Sequence, residues 1–251
     1  MKLDLGMRRL KESFDSLLIT SESELQDYVK DKKWKAVSGI ADHGCLLALS
    51  NAMIDIRCNN DINVAKDYLL RALNLAKTLR HAPPEFVVSG SYKIPIHCCL
   101  LSGDIETAKQ LAEQALSENV KIMGGSYDDA YTQVLSAFIL NNTSIYKEKV
   151  LAFKKIKSIY WWEKQDIYFK LYVAVLDNNE ESFNALLLEA IELFKERRTD
   201  KKFDDMQGEY GGLRHNDFTI DFMSVAIAII AKSKGLKTTL NNVYFPYELI
   251  K

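Results

Sequence analysis

Three features of the sequence predict an all-α protein, built as an irregular α-solenoid of antiparallel helical hairpins. Apolar residues recur at three- and four-residue spacing along nearly the whole chain. Polar turns with capping side chains separate the apolar stripes. Alternating strand patterns are almost missing, with only Val243-Tyr244-Phe245 reading as extended. The stripes give about ten or eleven helices. With 251 residues and 47% hydrophobic content the chain buries a sizeable core. It reads as a single domain over residues 1–251, with a weak seam near 121–130.

Leu3, Met7, Leu10, Phe14, Leu17 and Leu18 predict a first helix over 3–19. Ser21 and Glu24 have capping-box spacing, so a second, short helix is expected to carry Leu25, Tyr28 and Val29. From Ala36 to Ile56, large apolar residues alternate with Gly39, Ala41, Gly44, Ala48 and Ala52, which predicts a central helix that its neighbours approach closely. Residues 61–73 and 104–116 then echo each other, with six identities in thirteen positions at an offset of 43; a weaker copy starts near Asn179. Each copy begins with an Asp or Asn placed to cap a helix that packs back on its predecessor. The offset is not the 34-residue tetratricopeptide period, and that repeat's signature is missing.

Pro83-Pro84 ends the helix that reaches Arg80, and Pro95 starts or kinks the next. Met123-Gly124-Gly125-Ser126 precedes a helix from Tyr131 to Leu140. Asn141-Asn142 opens a lysine-rich helix with Lys147, Lys149, Lys154, Lys155 and Lys157, followed by Trp161-Trp162. Tyr168, Leu171, Tyr172 and Val175 form a buried stripe leading to Asp177-Asn178-Asn179. The last helix is expected over 217–234, capped by Asn216 or Asp217 and stopped at Gly235, with Phe222, Val225, Ile229 and Ile230 inward. The aromatic tail Tyr244-Phe245-Pro246-Tyr247 is expected to fold back onto the body, because water is a poor solvent for that much apolar surface.

Thirty-three basic residues against thirty-four acidic ones speak against a general nucleic-acid partner. No apolar run reaches the length of a membrane span, and the charged, amphipathic start is unlike a signal peptide, so a cytoplasmic protein with no membrane partner is expected. Cys45, Cys58, Cys98 and Cys99 form no CxxC pair and read as reduced core thiols. His43 reads as a core histidine, and His97 beside Cys98 cannot face it on a helix. The glycine-rich stretch 208–217 lacks the lysine of a phosphate cradle. No catalytic, metal or cofactor constellation is present, which predicts a protein that binds rather than an enzyme; a helical-repeat adaptor for a peptide or protein partner is one reading of that kind.

The C-terminal pattern narrows this. Asp217-Phe218 and Asp221-Phe222, the run Ala226-Ile227-Ala228-Ile229-Ile230-Ala231-Lys232, Gly235-Leu236 and the ending Tyr244-Phe245-Pro246-Tyr247-Glu248-Leu249-Ile250 resemble the immunity protein 49 family. The resemblance implies an all-helical protein that neutralises a cognate polymorphic toxin by direct binding, without catalysis. It carries over no binding residue and leaves the toxin's identity and the stoichiometry open. Between Phe203 and Asp221 acidic residues outnumber basic ones, and the chain there is glycine-rich. Intracellular toxins that act on nucleic acids present basic clefts, so charge complementarity selects Asp204, Asp205, Glu209, Tyr210 and Arg214 as the expected partner contacts, with Tyr210 as an aromatic anchor. The lysine-rich helix is the second, oppositely charged surface.

Overall fold

The computed structural model describes residues 5–59, 61–123, 126–155, 162–197, 220–242 and 245–250. Among them are ten α-helices: α1 (Leu5–Lys30), α2 (Trp34–Ile54), α3 (Ile62–Leu79), α4 (Lys93–Leu101), α5 (Ile105–Ala115), α6 (Tyr127–Ile139), α7 (Thr143–Phe153), α8 (Trp162–Leu176), α9 (Glu180–Arg197) and α10 (Phe222–Ser233). The extended pairing among these residues is confined to two isolated bridges, Val88 with Lys121 and Asn242 with Phe245.

Four of the helix–helix joints are built alike. At Lys32, Gly103, Asn141 and Asn178 the backbone turns left-handed, with φ of 55°, 78°, 55° and 54°. In each case that residue's N–H reaches back to the carbonyl three before it. The next residue's N–H reaches back five: Lys33 to Tyr28, Asp104 to Cys99, Asn142 to Ala137 and Asn179 to Ala174. This is the Schellman ending of a helix. In three of the joints the second residue also opens the following helix through its side chain. Asp104 accepts from the N–H of Thr107, Asn142 from Ile145 and Asn179 from Ser182. With one left-handed residue between two helices the chain has no room for anything but reversal, so α1–α2, α4–α5, α6–α7 and α8–α9 are helical hairpins.

The N-terminal portion departs from expectation in one place. α1 runs unbroken through Ser21, whose hydroxyl donates to the Leu17 carbonyl at 2.9 Å rather than capping a new helix. The stripe Phe14, Leu18, Leu25 continues across it, all buried on α2. α2 is the core helix, packed by α1, α3 and α4. Small residues allow this: a β-carbon at Gly44 would lie 2.9 Å from Leu75 Cδ1 on α3. An 18-residue window of α2 reaches a mean hydropathy of 1.2, so by length and composition α2 matches a membrane span, which a search for uninterrupted apolar runs passes over; 72% of that window is buried inside the protein. α2 ends in one π-turn, Asp55–Asn59, whose buried Asp55 carboxylate accepts from Lys11 Nζ at 2.7 and 2.8 Å and from Asn59. Asp61 caps α3 as expected, but it follows this π-turn, so its echo with Asp104 is in the cap and not in the joint.

α10 packs against α4, α8 and α9. It begins later than expected: its cap is Asp221, not Asn216 or Asp217, because Asp221 is the carboxylate that accepts from the Ser224 N–H (3.1 Å) and hydroxyl (2.5 Å). Val225, Ile229 and Ile230 are buried. Gly235, at φ 91°, ends α10 with the same Schellman pair of bonds, to Lys232 and Ala231. The tail returns: Phe245 is fully buried, Ile250 nearly so, and Lys232 Nζ donates to the Ile250 carbonyl at 2.8 Å.

Cys45, Cys98 and Cys99 are buried free thiols; the Cys58 side chain lies outside the described residues. His97 is buried between Tyr131 and Phe222, its Nδ1 2.7 Å from the Lys93 carbonyl, and burial takes its imidazole down to about 4. Asp42 has a carboxylate oxygen buried without a hydrogen bond, and burial takes this carboxyl up to about 7. His43 is exposed on α2, which corrects its reading as a core histidine: it sits on the face turned away from the neighbours that cover Ala41 and Cys45.

Three outcomes follow from these arrangements. Lys32→Gly removes the left-handed strain of a residue with a β-carbon and raises stability by about 1 kcal/mol, whereas Asn142→Ala loses a cap and lowers it by about 1 kcal/mol; urea unfolding measures both. Phe245→Ala costs about 3–5 kcal/mol and lowers the melting temperature, and an unchanged melting temperature would show that the tail does not pack. The third is a pH dependence. Folded Asp42 keeps its proton up to about 7 while the unfolded carboxyl loses it near 3.8, so its contribution is full at low pH and is lost as pH rises through that window. His97 has the opposite slope: folded it stays neutral down to about 4, unfolded it takes a proton near 6.5, and stability is lost as pH falls through that window. Asp42→Asn is therefore more stable than wild type at about pH 7.5, and the gap closes at about pH 3.5.

Candidate partner-binding surface

The five expected contacts, Asp204, Asp205, Glu209, Tyr210 and Arg214, lie outside the described residues, as do Asp217, Lys157 and Trp161. Asp221, counted with them as a surface acid, is 1% exposed and spent on the α10 cap. Tyr168 donates to it from α8 at 3.1 Å. Beside this cap the Tyr131 and Tyr172 hydroxyls meet at 2.8 Å, and burial raises both phenols above their ordinary range. This polar group is sealed in the core, and its geometry is that of a brace holding α10 to α8 and α8 to α6.

The exposed counterpart is a groove between α7, α8 and the start of α9, with a volume of about 640 Å³. Its origin is in the residues of the seam. Where α2 meets α3 through glycine and alanine, α7 meets α8 through rings. Tyr146 donates to the Phe169 carbonyl at 2.9 Å, and Phe153 meets the Phe169 ring edge-on at 5.0 Å. Tyr146 in turn stands edge-on to Tyr172, and Phe138 stacks on Tyr172 at 4.2 Å. Side chains of this size set the helices apart, and the space above the rings stays open.

Three helix faces converge on that space. Lys147, Val150, Leu151 and Lys154 follow at the three- and four-residue steps of one face of α7. Asp166, Phe169, Lys170, Val173 and Asp177 do so on α8, and Ser182 and Leu186 on α9. The floor is Tyr146, Phe169 and Ala174, all buried, but Leu151 is 61% and Val173 44% exposed. On the rim, Lys170 pairs with Asp166 at 3.1 Å. Lys147 and Lys154 make no ion pair among the described residues, and their flank of the groove is positive. Asp177 lies at the far end, where α8 gives way to α9. An apolar strip with a one-sided row of unpaired lysines is suited to holding a segment with the complementary pattern.

The sequence marked the lysines but missed Leu151 and Val173. The available signal was the width of the apolar arc on α7. Tyr146, Val150 and Phe153 account for the inward stripe, and Leu151 lies beyond it.

Two other depressions are of mixed character, and polar side chains in them pair within the chain. In one, of about 610 Å³ between α1 and α3, Arg71 makes a two-pronged pair with Glu22 at 2.7 and 2.8 Å. In the other, of about 530 Å³, Arg80 donates to Gln110 at 3.0 Å. Among the described residues no group of three or more His, Cys, Asp or Glu side chains is placed to hold a metal ion.

No curated protein and no solved structure shows significant similarity to this chain. The family described as Immunity protein 49 does match, over residues 94–249. The match reaches far upstream of the C-terminal motif and takes in α4 to α10, hence the brace under α10, the groove and the returning tail. The chain belongs to the immunity protein 49 family.

Proposed function

We propose that this protein neutralises a cognate bacterial toxin in the cytoplasm by direct, non-catalytic binding. The family match over residues 94–249 carries this reading. The architecture is in keeping with it. We read the four hairpins as parts of an irregular α-solenoid, a form whose stacked helices give long side surfaces for a protein partner. Binding of the required tightness depends on a few buried anchors within a polar surround. Asp204, Asp205, Glu209, Tyr210 and Arg214 are the acidic contact set we assign to a basic toxin surface, by charge complementarity.

Co-expression with a candidate toxin, taken from any toxin gene found beside this one, tests the reading. Growth is restored by the wild-type protein, and the two proteins purify together. The triple variant Tyr210→Ala, Asp204→Asn, Asp205→Asn keeps its helical circular dichroism, loses at least about tenfold in affinity and shows a shallower salt dependence. If growth is not restored, the neutralisation reading fails. If growth is restored and the variant binds as tightly as wild type at every salt concentration, the acidic contact set is wrong.

A further inference from the structure

We propose that the groove between α7, α8 and α9 receives an acidic amphipathic segment of the toxin. Its apolar face lies on Val150, Leu151, Val173 and Leu186, and its carboxylates point to Lys147 and Lys154. The inference rests on the reading that the protein binds a toxin, and it adds a second surface, opposite in charge to the first.

The argument starts from what the groove leaves unmatched. Leu151 and Val173 expose 61% and 44% of their surface over a floor of buried rings, so an occupant that covers them removes apolar area from water at both sides of one channel. The channel follows the helix faces: Lys147, Val150, Leu151 and Lys154 span two turns of α7, and Phe169, Val173 and Asp177 run beside them on α8. A helix or extended segment fits such a trough lengthwise.

Charge decides between occupants. Lys170 and Asp166 pair on α8, so the excess positive charge of the lining comes from Lys147 and Lys154, one before and one after Val150 and Leu151, against the single carboxylate of Asp177. An acidic flank on the occupant pairs with both. A basic flank meets like charge at both. Asp177, where α8 gives way to α9, favours a neutral or basic residue beside it. A second copy of the chain is a poor occupant for a geometric reason. In a two-fold pair the same concave face meets itself, and two troughs set mouth to mouth leave both floors empty.

The experiment uses two short fluorescent peptides. One is an amphipathic helix former with Leu on one face and Glu on the other; the second has every Glu replaced by Lys. The wild-type protein binds the Glu peptide in preference to the Lys peptide, and added salt weakens that binding. Lys147→Glu with Lys154→Glu lowers Glu-peptide affinity by about tenfold or more and improves Lys-peptide affinity. Leu151→Asp lowers affinity for both. All three positions are exposed, so the variants keep the wild-type melting temperature, which is measured alongside.

Preference for the Lys peptide, or Glu-peptide binding untouched by these substitutions, overturns the proposal. So does sedimentation showing a wild-type dimer that Leu151→Asp renders monomeric, because the occupant is then a second copy. In cells expressing the toxin, the groove variants lose protection that the wild type confers. Equal protection by both overturns the groove and leaves neutralisation standing. No protection by the wild type sinks the neutralisation reading, and the peptide result still judges the groove.

Discussion

At three of the described joints one residue both closes a helix and opens the next. Asn142 shows how much depends on it. Its backbone N–H satisfies the Ala137 carbonyl left over at the end of α6, and its side chain satisfies the Ile145 N–H left over at the start of α7. Every helix terminus carries such orphan groups, and a joint that serves two of them with one residue needs no loop. Asn141, held left-handed beside it, supplies the reversal. Asp104 and Asn179 repeat the device, so the pairs α4–α5, α6–α7 and α8–α9 have the same local geometry although their packed faces differ. The hairpins are thus specified locally. What their side chains then decide is how closely the pairs approach.

Two answers to that question coexist. Around α2, Gly44, Ala41, Ala48 and Ala52 bring α1 and α3 into close contact, and the hydrophobic stripe is consumed in the process. Around α8, Phe169 and Tyr172 meet Tyr146, Phe153 and Phe138, and rings hold the helices apart. The core is as well buried in the second case as in the first, since these rings are almost fully covered. The difference appears at the surface, where the aromatic seam leaves a mainly apolar trough and the small-residue seam leaves a depression whose Arg71 and Glu22 pair with each other. Tyr146 and Phe169 belong to both the seam and the floor of the trough, whereas Leu151 and Val173 stand exposed on its walls, outside the ring contacts.

These two answers also show what the sequence makes legible. The joints were readable wherever they used Asn, Asp or Gly, because those residues carry both the left-handed preference and the capping oxygen. The joint at Lys32-Lys33 uses none of them and is marked only by the change of stripe between Val29 and Ala36; the division of α1 at Ser21 has a separate cause. Serine followed three residues on by glutamate matches a cap, but a serine inside a helix satisfies its hydroxyl on the preceding turn, as Ser21 does on Leu17. The start of α10 was misplaced for a related reason. Asn216, Asp217 and Asp221 are all competent caps, and only tertiary contact with Tyr168 distinguishes Asp221. Val225 follows from helical spacing and Phe245 from the apolar area of the aromatic tail, and both are buried. The trough follows from neither, since it is a property of the distance between helices, and no single stripe encodes that distance.

The family match begins at Ile94, within α4, and so covers the aromatic portion rather than the tightly packed α1–α3. Within it, α10 is the piece that joins separate hairpins. Asp221 fastens its first turn to Tyr168 of α8, and Lys234 Nζ donates to Asn141 Oδ1 in the α6–α7 joint at 2.6 Å. Lys232 holds the tail, and the segment after α10 is tied to α9 through Lys237, whose N–H and carbonyl meet Glu180 and Asn184. A partner seated in the trough would therefore touch α7, α8 and α9, three helices from two hairpins, while α10 fixes both hairpins from the other side. Rigid backing of this kind lowers the ordering cost of binding, because the helices that form the trough need not be gathered when the partner arrives.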